Sequence, residues 1–320
     1  MILDPVLDGP RQAIRDSWLR TVSADGLPGV QFSEPAGDPG LYGPGSAIWH
    51  VHSDVVGLVG GLSGLLLGAL HQPTMHGTNQ HSSYSDDPLA RLGRTASFVN
   101  AMTWGSMPVV DKTCDMVRKM HRHVNGTMPD GRPYAADDSD QLIWTAMTQA
   151  HSIMRAHLRY HPEPVSGTRI DDYYAEYAEF AIRLGATKPV PSDREQVDDY
   201  FREMRPLLTF AEETADLADF FRQPVGSDPV ARAASVIITR AAFDSMPSWA
   251  KRLYGLRSTG PMWALPSFID SQITRQSALV LLGALRWALG ETPIQDEARA
   301  RCLSTADLKQ TDVAALSLTR

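Results

Sequence analysis

The ten histidines of this 320-residue chain all lie between His50 and His161. Imidazole is the commonest protein ligand for transition metals, so the clustering directs attention to the first half of the chain. Two of them stand in the run DKTCDMVRKMHRHV. Val117, Met120, His121 and Val124 recur there at helical spacing, which places His121 on an apolar face. His123, roughly 200° further round at about 100° per residue, falls among Arg118, Lys119 and Arg122 and faces solvent. An inward, neutral imidazole has two uses. It ligates a metal, or it hydrogen-bonds inside the core, which is the commoner fate of a buried polar side chain.

A second group lies upstream. Arg91 and Thr95 are four apart, and Phe98 and Met102 continue their face. A guanidinium and a hydroxyl at the head of an apolar stripe could anchor a carboxylate and donate a hydrogen bond into a pocket. The alternative is an arginine paired with Asp86 or Asp87 and a threonine bonded back to its own helix. Other templates fail. His71, His76 and His81 recur every five residues and leave any single helical face. There is no His-Glu-x-x-His, no Walker-type loop and no Gly-x-Ser-x-Gly elbow. Glu176 and Glu179 lack the Glu-x-x-His partners of a di-iron bundle.

These residues must be carried by helices, because period-2 strands of β-branched residues are scarce. Hydrophobic residues make up 43% and charged residues 21%, values of an ordinary folded protein. The net charge of −7 excludes a general nucleic-acid binder, which needs a basic face. Cys114 and Cys302 are the only cysteines, so a disulfide framework is not expected and a reducing, cytoplasmic setting fits. Neither cysteine belongs to a haem-attachment motif. The N-terminus does not read as a signal peptide, and the apolar run Val55 to Leu70 is short for a membrane span. Residues 1–46 read as a loop-rich N-terminal segment and 47–320 as a single helical domain. Helices are predicted over about Asp54 to Leu70, from Pro88, over about Asp111 to Val124, from Gln141 to Tyr160, and from Asp171 to Leu184 with Gly185 as C-cap. GTMPDGRPYAADDSD is predicted to be a turn-rich connection. Gly60, Gly64 and Gly68 share one helix face, which calls for a close neighbour: another helix, or a flat cofactor.

Several stretches resemble the MpaB-like family of haem-dependent oxygenases, which includes the latex clearing proteins. They run in order as LYGPGSAIWHVHSD, GGLSGLLLGALHQPTMHGTNQHSSYSDDPLARLGRTASFV, VRKMHRHVNGTMPDGRPYAADDSDQLIWTA, YYAEYAEFAIRLGA and SMPSWAKRLYGL, over about residues 41–257. The resemblance implies an all-α fold, a single multi-helix domain with a b-type haem pocket between core helices. Its His-x-x-Val-x-Gly motif maps to His121, Val124 and Gly126 and makes His121 the axial ligand of the haem iron. Its Arg-Leu-x-Arg-Thr motif maps to Arg91, Leu92, Arg94 and Thr95. Arg91, Arg94 and Thr95 would then contact the cofactor, with Thr95 and Arg91 as catalytic residues on the distal side. The implied partners are dioxygen and a small apolar substrate, an alkene or isoprenoid, packed against Phe98, Met102 and Trp104. The alternatives are a haem peroxygenase or tailoring hydroxylase, and a non-catalytic haem-binding protein. Two departures stand out. His71-Gln72-Pro73 replaces the family's His-Pro, and Ala146 stands where the family carries a histidine after its tryptophan. Nothing in the sequence sets an oligomeric state.

Overall fold

The computed structural model describes residues 9, 11, 12, 14, 15, 31–81, 88–226, 228–256, 267–290 and 292–303. The backbone of residues 88–91 and 267–269 is described without their side chains. Among these residues the fold is all-α, as periodicity predicts. Helices α1 (Ala47–His52), α2 (Gly57–Gly68), α3 (Gln72–His81), α4 (Pro88–Trp104) and α5 (Met107–His121) come first. A hairpin of β1 (Asn125–Thr127) and β2 (Pro133–Ala135) follows. The chain continues through α6 (Ser139–Tyr160), α7 (Arg169–Leu184), α8 (Arg194–Met204), α9 (Glu212–Arg222), α10 (Pro229–Ser245), α11 (Ser248–Leu253), α12 (Ser267–Leu289) and α13 (Pro293–Cys302).

The core is built on α2 against α6. Seven residues of α2 are buried, among them Val59, Leu62, Leu66 and Leu67. The glycine stripe is what lets the two helices meet. A Cβ on Gly60 would lie 2.5 Å from the Cα of Ile153, and one on Gly64 would lie 3.1 Å from the Cα of Gln149. Gly68 comes next, with Thr148 Oγ1 at 3.5 Å from the same imagined atom, and its carbonyl accepts from Trp144 Nε1 at 3.0 Å. Of the two partners foreseen for this stripe, the one found is a helix, α6.

Local chemistry explains where the predicted boundaries move. The helix expected from Asp54 starts at Gly57, because Asp54 Oδ1 accepts the Val56 N–H at 2.8 Å and closes a turn. The preceding helix α1 begins after Ser46, whose hydroxyl accepts the Trp49 N–H. Glu176 of α7 adds a carboxylate at the same N-terminus, accepting from Ala47 N at 3.2 Å and Ile48 N at 2.6 Å. Helix α5 starts four residues earlier than predicted, with Pro108 in its first turn, and ends at His121, not Val124. Gly185 ends α7 in the left-handed region at φ +110°, as its type requires. The predicted turn region also carries the hairpin, whose Tyr134 packs on Gly77 of α3 at 3.0 Å from its imagined Cβ.

Helices α4 and α5 fold back on one another through Gly105 and Ser106. The corner tolerates no side chain, since a Cβ on Gly105 would lie 2.3 Å from the Ala101 carbonyl oxygen. Arg301 of α13, 1% exposed, clamps it. Its guanidinium donates to the carbonyls of Trp104 at 2.7 Å, Phe32 at 2.6 Å and Asp38 at 2.7 Å. Asp38 Oδ2 in turn accepts the Met107 N–H at 3.0 Å.

Gly60→Ala should lower unfolding stability by about 1–3 kcal/mol, because overpacking outweighs the helix propensity gained. Gly61→Ala, on the same helix with nothing within 4 Å of its Cβ position, should be neutral or stabilising by up to about 1 kcal/mol. Urea melts of the two variants decide whether the close approach sets the core.

Candidate functional site

His121 closes the inward stripe of α5. Val110, Thr113 and Cys114 are buried, and Val117 and His121 are half-buried one and two turns further on. Met120 does not belong to that face; it is 53% exposed. The apolar stripe read from the sequence therefore turns His121 inward as expected, with one wrong neighbour. Met is compatible with either environment, and one residue of helical phase separates the two faces. His123 is exposed, as its phase requires. The Nδ1 of His121 is shielded from solvent. Just beyond it, Val124 reaches toward Gly77 of α3. His81 Nε2 at the end of α3 lies 3.1 Å from the Asn125 carbonyl and 3.0 Å from the Tyr134 hydroxyl.

The upstream group lies on α4, the partner of α5 in the hairpin. Thr95 is half-buried and Arg94 is exposed. Arg91 lies on α4, but its side chain is outside the described residues, as are Asp86 and Asp87, its alternative partners. Met102 and Trp104 are buried. Met102 Sδ accepts from Cys114 Sγ at 3.5 Å, which stitches α4 to α5. Phe98 meets Phe180 of α7 edge-on at 6.0 Å between centroids. Two-residue closure at Gly105-Ser106 and contact between the helices thus bring the stripe of Thr95, Phe98 and Met102 and the stripe ending in His121 onto one hairpin. Ala146, the position of the missing family histidine, is buried on α6.

Behind this hairpin lies a layer of buried hydroxyls and imidazoles. His52 Nδ1 is 2.8 Å from Thr103 Oγ1 of α4, and its Nε2 is 3.4 Å from the Tyr173 hydroxyl of α7. The Tyr177 hydroxyl donates to Gln149 Oε1 at 3.0 Å, and His151 Nδ1 lies 3.2 Å from the Tyr174 hydroxyl. Burial holds His52 at about 3, with His157 adding to the effect. It holds His151 at about 3, assisted by Arg155. These rings are neutral at ordinary pH.

Sequence spacing gave no hint of a third group. His50 of α1 and His157 and His161 at the end of α6 bring one ring nitrogen each to within 4.8 Å of one another. His157 and His161 are one helical turn apart, but no periodicity links them to His50; only the fold joins the three. The rings are nonetheless committed elsewhere. The Val165 N–H donates to His157 Nε2 at 3.1 Å, and the Glu163 N–H donates to His161 Nδ1 at 3.0 Å. A metal-bound imidazole instead donates through its second nitrogen. Two of the three rings therefore serve as neutral acceptors for the turn after α6. His50 Nε2 lies 3.3 Å from the Glu163 carbonyl and completes the hold on that turn. Burial, together with His161 and His50, pushes His157 down to about 3. Nearby Asp54 binds Arg286 through both oxygens at 2.6 and 2.8 Å. Burial would raise its carboxyl, but those bonds hold it below the usual range.

A family model described as the ER-bound oxygenase mpaB/B′/rubber oxygenase catalytic domain matches residues 49–270. No curated protein and no solved structure matches the chain.

The buried histidines make the fold acid-sensitive. A histidine held near 3 in the native state and near 6.5 when unfolded takes up a proton on unfolding anywhere between those values. Stability is complete above pH 6.5 and falls as pH drops toward 3, by about 1.4 kcal/mol per pH unit for each such ring. His157→Gln should flatten the slope of urea stability against pH between 6 and 4 by about one proton. An unchanged slope would show that this ring already binds its proton in the native state.

Proposed function

The chain belongs to the mpaB/rubber oxygenase catalytic-domain family, and we propose that it acts as a haem-dependent oxygenase on an apolar alkene or isoprenoid substrate with dioxygen. It is an oxidoreductase by that membership. The observation that carries the haem reading is His121. It is a half-buried imidazole at the end of an inward stripe, with one ring nitrogen shielded from solvent. That donor would hold a b-type haem from an apolar helix face, as a neutral histidine ligates haem iron elsewhere. Neither cysteine belongs to a Cys-x-x-Cys-His haem-attachment motif, in keeping with a group held without covalent attachment. When bound, the haem would supply the dioxygen chemistry, and the polypeptide supplies ligation, polarity and access.

This chain's own residues have narrower tasks. His121 holds the group from α5. Thr95, half-buried on α4, offers a hydroxyl donor to the polar end of the reaction. Arg91 precedes it by one turn and Arg94 by one residue, and their guanidinium groups match the propionate carboxylates of a haem. Phe98 and Met102 continue the stripe as apolar wall against which a hydrocarbon chain packs. Met102 is buried and Phe98 half-buried, an apolar lining that would keep water from the reacting carbon–carbon double bond. Ala146 offers no ring, so any proton delivered to the pocket comes from another group.

Purified protein loaded with haem should show a Soret band that His121→Ala loses or shifts, while His123→Ala leaves it in place. Thr95→Val should keep the spectrum and lower alkene cleavage by tenfold or more, the scale of one lost catalytic hydrogen bond. A wild-type spectrum in His121→Ala would defeat the ligand assignment. Turnover with peroxide but never with dioxygen and reductant would move the chain to the peroxygenase class. Dioxygen binding without product would make it a non-catalytic haem protein.

A further inference from the structure

Cations collect where α6, α10 and α12 meet, on a face that includes neither His121 nor Thr95. A groove of about 410 Å³ is lined there by Arg155, Arg159 and Arg275 together with Asp244, Ser245 and Gln272. Lys251 reaches the same carboxylate, with Nζ 3.6 Å from Asp244 Oδ1. Three cations thus line the groove against one acid, Asp244, with Asp198 acting on Arg155 from outside it. Asp244 is already heavily used. It accepts from Arg159 Nε, from the Tyr160 hydroxyl at 2.9 Å and from the Ser271 hydroxyl at 2.8 Å. Arg155 has no carboxylate within 4 Å among the described residues. It donates to the Ser245 and Met246 carbonyls at 2.7 and 3.4 Å. Those carbonyls lie at the C-terminus of α10, worth about half an elementary charge. Arg275 makes no ion pair or hydrogen bond among the described residues.

The excess of positive charge is out of keeping with a chain whose net charge is −7. Buried charges in proteins are normally paired, because desolvation of an unpaired ion is costly. The consequence is visible in Arg155 and Lys251, whereas Asp244 holds Arg159 above its ordinary range. Burial pushes Arg155 below its ordinary range, with Arg159 adding to it against Tyr174, Asp198 and Asp244. Lys251 is pushed down by burial, and Arg159 and Arg155 add to this against Asp244. Unused donors remain. Arg155 and Arg159 each engage only Nε and one other nitrogen, and Arg275 has its whole fork free.

We propose that this groove is a binding site for a doubly or more highly charged phosphate group, carried by a small phosphate or diphosphate ester, with Arg275, Arg155 and Arg159 as its donors. A single carboxylate brings one negative charge, too few for the surplus. A phosphate monoester brings about −1.5 to −2 and three acceptor oxygens, which match guanidinium forks. This site is independent of the oxygenase reading.

The test is calorimetric titration of the full-length protein with inorganic pyrophosphate at low ionic strength. Saturable one-to-one binding is expected, with acetate at equal ionic strength giving none. Arg275→Gln should weaken pyrophosphate binding tenfold or more. Its melting temperature without ligand should be equal to or above that of the wild type, because a like charge has been removed. Arg202→Gln, on the acidic face of α8, should bind pyrophosphate as the wild type does. Absence of binding, equal losses in Arg275→Gln and Arg202→Gln, or equal binding of acetate would each overturn the proposal.

Discussion

The closeness of α2 to α6 governs what the rest of the molecule can do. Three glycines at four-residue spacing let the α2 backbone lie almost against the α-carbons of Ile153 and Gln149. Glycine in a helix costs about 1 kcal/mol relative to alanine. That cost is offset by dispersion contacts that a wider spacing would forfeit. The α6 helix is thereby fixed along its length, from Trp144, bonded to the Gly68 carbonyl, to Tyr160 at its end. Its other faces then present His151 and Gln149 to the tyrosines of α7, and Arg155 and Arg159 to α10 and α12. The buried polar layer and the cationic groove are both consequences of one helix held rigidly in place.

Polar groups do the long-range tying. Asp54, just before α2, binds Arg286 from α12, and Arg286 also donates to the Tyr160 carbonyl at 3.2 Å. Arg301 of α13 ties the N-terminal loop to the corner between α4 and α5 through three carbonyls. Both arginines lie beyond residue 270, outside the stretch matched by the family model. Each places a cation against oxygens that would otherwise be buried with poorer partners, and removal of either would leave those oxygens unsatisfied. Helix α13 therefore braces the corner of the helices that carry His121 and Thr95, and α12 braces the start of α2 against the end of α6.

Helical phase made much of this legible from the sequence. The all-α architecture follows from periodicity, and the limits of α6 and α7 fall within two residues of those predicted. His121 and His123 separate correctly because two residues of an α-helix span over half a turn. Met120 was misplaced because Met carries little environmental information. The start of α2 was placed three residues early for a different reason. It depends on Asp54 bonding its own backbone, a choice between helix and turn that a hydrophobic pattern does not record. The hairpin at residues 125–135 escaped because each strand has only three residues, too few for a period-2 signal.

What the sequence could not give was any juxtaposition made by packing alone. His50 is more than a hundred residues from His157, and Arg275 is more than a hundred from Arg159; neither pair shares a motif or a period. Such groups are found only after helices have been laid against one another. The two clusters then differ in a physically telling way. In the histidine cluster each ring finds a hydrogen-bond partner in the turn it encloses, and burial leaves His157, its fully buried member, neutral at ordinary pH, so no external partner is required. Arginine has no such escape, since it stays protonated at any pH a protein survives. A groove with more arginines than acids among its described lining residues suits an anion supplied from outside, by solvent ions or by a ligand. Arg155, half-buried and held by two backbone carbonyls, favours the ligand.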